Sequence, residues 1–489
     1  MPGGAVPGRH GARGRDLTQG PIGKTLLLFA LPTLGSNILQ SLNGSINAIW
    51  VGRFLGEDAL AATANGNILM FLLLAFVFGF GMAGTILIGQ AFGRRDIQEA
   101  RKVMGTTIGS FMTVLIAISV IGWLFAPQFL RVLATPPDAL PLAIAYLRTV
   151  FLALPAGLMM ALLMMALRGA GDALTPLWFM LMSVLLDSSL NPVFILGLGP
   201  APRLGIAGAG TATAIANYTS LAAMLIYIYA KDLPLRLRGP DLHYLKPDWA
   251  LLGLIIRKGF PMGLQMIVIS SSALAMLGLV NREGVVTTAA YAVAQQLWTY
   301  VQMPAMALGA AVSAMAAQNI GAGNWNRISQ ITRSGVMFNI VLTGSVVLLL
   351  TFFDRPALEL FLGPNSTALP IARHIQLVAT WGFVFFGISL VLFGTVRANG
   401  VVVWPLIILF IAMYPVRFGV VFGTDQWIGT DALWLSFPAG MCATMVMAFA
   451  LYLHPGWRRH GLVHEVAEEE CVELAQADAE PGGSFNPRG

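Results

Sequence analysis

The sequence predicts an all-α integral membrane protein, with twelve transmembrane helices in two six-helix lobes related by a pseudo-two-fold axis along the membrane normal. Three observations carry that expectation. Hydrophobic residues fill 56% of the 489 positions and charged residues only 11%, too little polar surface for a soluble chain of this length. Apolar runs of the roughly 20 residues needed to cross a hydrocarbon core recur along nearly the whole chain. The chain also repeats itself at an offset of 228 or 229 residues. Pro32 falls on Pro261, Gly81 on Gly309, Gln90 and Gly93 on Gln318 and Gly321, Pro141 on Pro370, Arg168 on Arg397, and Pro176 on Pro405. An even number of spans per copy gives both copies the same orientation, the parallel-repeat arrangement of transporters, with a pathway between the halves.

Breaks at Gly, Pro and charge clusters place the first six spans at about 25–50, 60–91, 104–126, 141–166, 174–197 and 206–230. The second six fall at about 251–280, 288–317, 334–353, 372–396, 403–423 and 432–453. Residues 1–20, rich in Gly and Arg, are expected to be a flexible cytoplasmic leader, because the apolar segment behind them runs to Trp50 with no cleavage-like end. The N-terminal lobe is expected over 21–231, and a cytoplasmic linker over 232–250 carries Pro234, Gly239, Pro240 and Pro247. Asp248 to Lys258 reads as an amphipathic helix suited to the inner membrane surface, and the C-terminal lobe follows over 251–455. The tail, 456–489, turns from basic to acidic and is poor in aromatics, the composition of a disordered cytoplasmic segment. With the N-terminus inside, cytoplasmic segments collect 21 of the 29 Lys and Arg residues and outer segments 7, a positive-inside bias that puts both termini in the cytoplasm. That bias also accounts for the net charge of +6 without nucleic acid as a partner.

Asp187 stands out as an acid inside an apolar run. It lies eleven residues past Pro176, roughly 16 Å into the membrane at 1.5 Å per helical residue. Ser183, Asp187 and Asn191 are spaced to share a face, and Pro192 withholds a donor and so opens the Ser188 carbonyl to a ligand or water. Acids inside a bilayer are costly and mark ion or substrate pathways; the structural alternative is a protonated Asp that only joins helices. Span one carries Ser36, Gln40, Asn43 and Asn47 at 4, 3, 4 spacing, a polar stripe expected to face the lobe interior or a wet cavity, or else to serve as interhelical glue. Asn191, Asn47 and Asn43 are therefore taken with Asp187 as ion-coupling candidates, Ser36, Gln40 and Ser183 as substrate contacts, and Pro32 and Pro192 as hinges. Asn65 and Asn67 in span two are weaker candidates. Arg417, a further weak candidate for substrate contact, sits about six residues from the outer end of span eleven, where it either snorkels outward or stands as a fixed charge in the C-terminal lobe. Gln265 and Gln295, with Trp298 and Tyr300, offer hydrogen bonds and aromatic faces to a drug-like cation. Methionine clusters at Met159, Met160, Met164 and Met165 suit either packing or promiscuous binding.

Enzymatic and cofactor chemistry finds little purchase. The two cysteines and six histidines form no disulfide framework, zinc set or triad, so no metal and no cofactor is expected. Gly79 to Gly84 matches G-x-G-x-x-G but lies inside a span, where glycines allow close helix packing. Gly23-Lys24-Thr25 ends like a P-loop, yet Thr18 stands where its first Gly belongs.

Asp16 to Ile22 with Ala30-Leu31-Pro32, Val51-Gly52-Arg53, Gly89-Gln90-Ala91-Phe92-Gly93, Arg168 to Asp172 with Thr175-Pro176, Leu190-Asn191-Pro192 and Gly205 to Ala209 together resemble the multidrug and toxin extrusion (MATE) family, most closely its bacterial DinF-like branch, over residues 16 to 455. The resemblance implies an efflux antiporter of two six-helix lobes, multi-pass in a bacterial inner membrane, exporting organic cationic or amphipathic drugs or metabolites in exchange for protons or sodium. Its partners would be small organic substrates and membrane lipids, and the protein a monomer. By the same resemblance, family acids fall on Asn47 and Asn191 and a family asparagine on Asp187, one helical turn along the same face. Acids that other branches carry in later spans are replaced by apolar residues such as Ile269. A single carboxyl favours protons over sodium, with Asp187 as the coupling group. The alternatives are sodium coupling, a lipid-linked precursor flippase of the same superfamily, and an integral-membrane enzyme.

Overall fold

The computed structural model describes residues 16–55, 57–132, 140–199 and 202–459, and the side chains of Asn65 and Asn67 lie outside the described residues. In the N-terminal lobe, α1 (Ile22–Leu55), α2 (Glu57–Gly93), α3 (Ile97–Val132), α4 (Leu140–Gly169), α5 (Leu174–Leu196) and α6 (Ile206–Ala230) are long and apolar, and α4 lies at the centre, packed on α2, α3 and α6. Helices are the expected solution, because hydrocarbon offers no partner to a backbone N–H or C=O and a helix satisfies both internally.

The C-terminal lobe repeats this plan with two departures. Its helices are α7 (Trp249–Val280), α8 (Val285–Val301), α9 (Met303–Gly321), α10 (Trp325–Phe352), α11 (Asp354–Leu362), α12 (Leu369–Ala379), α13 (Gly382–Ala398), α14 (Val403–Ile411), α15 (Arg417–Ile428), α16 (Asp431–Leu453) and a short α17 (Gly456–Arg459). The helix pair α8 and α9 makes one span, and α12 and α13 form one bent by 44°. Eleven helices long and apolar enough to cross, plus this bent pair, match the twelve spans expected. The second departure is a π-helical turn over Ala412–Val416, containing Pro415, that joins α14 to α15. Proline removes a backbone donor and crowds the preceding turn, and a π turn accommodates one additional residue within a continuing helix. The N-terminal counterpart, α5, has no such turn.

Asp248 to Lys258 is not a separate surface helix. Asp248 caps α7, accepting from the Leu251 amide at 3.1 Å, so the segment becomes the first turns of span seven. Asp248 also pairs with Lys102 Nζ on α3 at 2.6 Å, and that hydrogen-bonded ammonium holds its carboxyl below the ordinary carboxylate range. The contribution of this anchor is present at neutral pH and is lost as pH falls through the lowered value. Ahead of it, Gly239–Leu245 forms a 3-10 turn that beds on α3, where a Cβ at Gly109 would collide with the Leu245 carbonyl oxygen. The short amphipathic α11 has no apolar run to announce it; the Arg373–Asp354 ion pair at 2.6 Å ties it to α12.

The lobes meet along α2, which packs on α7 and α9. At one end of the bundle the contact follows the internal repeat. A Cβ at Gly93 would collide with the Gln318 carbonyl oxygen, and one at Gly321 with that of Gln90. The two glutamines reciprocate across the interface, Gln90 Nε2 donating to Ala398 O at 2.7 Å and Gln318 Nε2 to Gly169 O at 3.0 Å. The Leu17 amide donates to Gln318 Oε1 at 3.0 Å, and Asn319 Nδ2 donates to Leu17 O at 3.1 Å, so the segment ahead of α1 straps the same end. Leucine at Gly93 is expected to wedge this end open. In a Cys442→Ser, Cys471→Ser background, Ala398→Cys, buried in the closed state, should label with a maleimide several-fold faster when Gly93→Leu is added; an unchanged rate would show that the glycine contact does not set the lobe spacing.

Candidate functional site

Three helices bring polar groups to Asp187, which is 1% exposed. From α1, Asn47 Nδ2 donates to Oδ2 at 2.9 Å. From α6, Thr213 Oγ1 donates to Oδ1 at 2.9 Å. One turn along α5, Asn191 Nδ2 reaches Asp187 O at 2.8 Å and Oδ1 at 3.3 Å, and also donates to Asn47 Oδ1 at 2.6 Å. Asn43 faces the same carboxyl, and its buried Oδ1 and that of Asn191 have no partner among the described residues. The group is a lone carboxylate held by neutral donors, with no basic side chain paired to it among the described residues. Such donors lower the cost of a buried charge without fixing it, so protonated and ionised forms both remain attainable.

The four-residue stripe on α1 does not act as a unit. Asn43 and Asn47 reach the carboxyl, whereas Ser36 donates back to Pro32 O at 3.0 Å and Gln40 is exposed. On α5, Ser183 turns to Asn217 Oδ1 on α6 at 3.3 Å. Pro32 and Pro192 lie within helices that continue through them. Thr213 was not legible as a ligand of the carboxyl: it sits among small residues in α6, and Thr211, two residues away, has the same chemistry but bonds to Ala207 O.

The C-terminal lobe holds a cavity of about 400 Å³ whose lining includes Gln295, Trp298, Phe386 and Arg417 and no acidic side chain. Trp298 is fixed by donating to Gln376 Oε1 at 3.1 Å and Thr380 Oγ1 at 3.0 Å. Gln295 donates to the Tyr291 hydroxyl at 3.2 Å on the cavity wall. Gln265 is not in that lining; its amide donates to Val402 O at 3.1 Å and joins α7 to the start of α14. Arg417 does not snorkel. The helix α15 continues eleven residues beyond it to Ile428, roughly 16 Å and beyond the side chain's reach, and the residue is only 5% exposed. Its guanidinium carbon lies 4.1 Å from the Phe437 ring centroid, and Nη1 donates to Ser272 Oγ at 3.2 Å. A fixed cation in this wall opposes the entry of a second cation, so the expectation that these aromatic and amide groups receive a positively charged drug does not suit the cavity's charge.

The two lobes are linked by their repeat at these sites. Asp187 is eleven residues past Pro176 and Arg417 twelve past Pro405. The π turn at Ala412–Val416 absorbs the additional residue, which places the two charges at matching positions of their lobes. Their helix-one neighbours match too, because Ser272 is the repeat counterpart of Asn43.

Parallel six-span repeats, each with a polar centre of its own at the same point of the fold, define a membrane transporter built by internal duplication. The MatE family model matches residues 32–193 and 261–422, one copy in each lobe. The chain belongs to this family of multidrug efflux transporters, which are not enzymes. Among relatives, it is 35% identical over 431 residues to a Bacillus subtilis (strain 168) protein named "Probable multidrug resistance protein YoeA", covering 88% of this chain and 93% of that one. It is 26% identical over 353 residues, 72% of this chain and 76% of the other, to a Shewanella oneidensis protein named "FAD transporter". The fold is similar to that of a crystallised mutant of the Vibrio cholerae MATE transporter VcmN, with TM-score 0.81 at 19% identity over 88% of this chain and 96% of that one.

Thr213→Val keeps the shape of the side chain and leaves Oδ1 of Asp187 one donor short. A buried unmade hydrogen bond costs about 1–3 kcal/mol, so the variant should melt at a lower temperature than wild type in detergent. Adding Asp187→Asn to that variant should recover part of the loss, and strictly additive effects would show that the two side chains do not interact.

Proposed function

We propose that the chain is a secondary active antiporter that exports amphipathic organic drugs or metabolites in exchange for protons, with Asp187 as the proton carrier. The observation that carries this reading is the lone, fully buried carboxyl held only by neutral groups from α1, α5 and α6. A carboxyl paired with a fixed cation would stay ionised through the cycle; one held by amides and a hydroxyl can gain and lose its proton as its access to water changes. Asn47, Asn191 and Asn43 position it, and the helices carrying these groups also carry Pro32 and Pro192, which makes those prolines the proposed hinges. With both termini cytoplasmic, as the distribution of basic residues indicates, the bundle end strapped by Leu17, Gln90 and Gln318 faces the cytoplasm. This is then the state closed to the inside, ready to take a proton from outside. One charge moving through 100 mV supplies about 2.3 kcal/mol, enough for modest accumulation per proton. The setting is a bacterial inner membrane, with the protein acting as a monomer among lipids.

Sodium coupling is the second reading, and one feature favours it: the unpartnered Oδ1 atoms of Asn43 and Asn191 beside the carboxylate are oxygens a hard cation accepts. Proteoliposomes separate the two. Wild type should drive export of an amphipathic dye from an imposed pH gradient in potassium buffer, and Asp187→Asn should fall to the rate of protein-free liposomes. Full activity in the variant would end the Asp187 assignment, and transport that requires added sodium at equal pH would replace the proton with sodium.

A further inference from the structure

Arg417 is a buried charge of the C-terminal lobe that the proposed coupling does not use. Its guanidinium stands in the wall of a cavity, the residue only 5% exposed, with no carboxylate paired to it among the described residues. Its hydrogen bonding is one-sided. Nη1 is engaged by Ser272 Oγ and by Met413 Sδ at 3.6 Å, and the ring of Phe437 covers one face. Nε and Nη2 are buried and have no partner among the described residues. Those two nitrogens form one edge of the guanidinium, whose parallel N–H bonds match the two oxygens of a carboxylate, sulfonate or phosphate. The stem packs closely on α16, where a Cβ at Gly440 would lie 2.6 Å from Arg417 Cγ.

We propose that this guanidinium is the recognition element of an anion subsite in the C-terminal lobe, that it turns its buried, unpartnered edge to an entering ligand, and that it takes the acidic group of an amphipathic aromatic compound. The cavity of about 400 Å³ has room for the apolar body of such a molecule, with Trp298 and Phe386 as its aromatic walls and the Gln295 amide for further polar atoms. A buried cation left without a counter-charge is costly, and a bound anion supplies the charge that the chain itself withholds. The position strengthens the assignment. Through the π turn, Arg417 occupies in its lobe the place that Asp187 occupies in the other, so the two polar centres have opposite charge: one lobe holds the acid, the other receives one. As a subsite for exported compounds this rests on the export function proposed above; as an anion site it rests on the geometry alone.

The test is equilibrium binding to the full chain in phosphatidylcholine nanodiscs at fixed pH, with naphthalene-2-carboxylate and its uncharged carboxamide as probes. No proton gradient is involved, so failure here leaves the Asp187 coupling untouched, and failure of coupling leaves this result standing. Wild type should bind the carboxylate about tenfold or more tightly than the amide. Arg417→Gln should erase the preference, and Arg417→Lys should restore only part of it, because an ammonium lacks the paired edge. Equal binding of both probes by wild type, a reading that needs no variant to fold, would overturn the proposal, as would a preference that survives in Arg417→Gln. Repeating the wild-type measurement with phosphatidylglycerol in the disc checks the source of the anion: unchanged affinity supports a soluble organic acid, and loss of probe binding overturns that identity in favour of a lipid headgroup.

Discussion

Between the headgroups of a bilayer there is no water to solvate a side chain, so a polar atom placed there must find its partner in the protein or in what the protein carries. Asp187 meets this constraint by gathering a donor from each of three helices. The arrangement couples the position of α1, α5 and α6 to the state of one carboxyl. When that carboxyl takes a proton, one of its oxygens becomes a donor, and the set of amides and hydroxyl around it must adjust. On the proposed reading, a change of one proton is thereby felt on three helices at once.

Arg417 meets the same constraint incompletely. Its neighbours engage one nitrogen and one face and leave an edge without acceptors. The duplication that gave the lobes a common plan has therefore produced opposite charges at one point of it, and a single π turn keeps them in register despite the inserted residue. A helix that did not absorb the residue ahead of Arg417 would have rotated that side chain off the cavity by about 100°.

Movement of the lobes needs an interface that is close without being cemented. Glycines at 93 and 321 allow backbone contact, and the glutamine hydrogen bonds beside them are symmetric, Gln90 and Gln318 each reaching a helix-end carbonyl of the other half. Backbone contact of this kind is lost all at once when the lobes separate, in keeping with two discrete arrangements of rigid bodies.

The sequence by itself determined the membrane class, the spans, the duplication and the place of Asp187 as an acid inside an apolar span. Hydropathy, repeat spacing and the cost of a buried charge are properties of residues and their order. It also brought Asn43, Asn47 and Asn191 to notice, because their helical spacing gives them a common face. Ser36 and Gln40 share that spacing and yet do not reach the carboxyl, since periodicity fixes a direction around a helix and leaves height and neighbour open. Only the tertiary structure decided that Thr213 completes the site, that Gln265 is engaged with Val402 O, and that Arg417 lines a cavity. Each of those outcomes depends on a partner more than twenty residues away in the chain, or, for Arg417, on a π turn that hydropathy does not register, and the contacts exist only once the helices have packed.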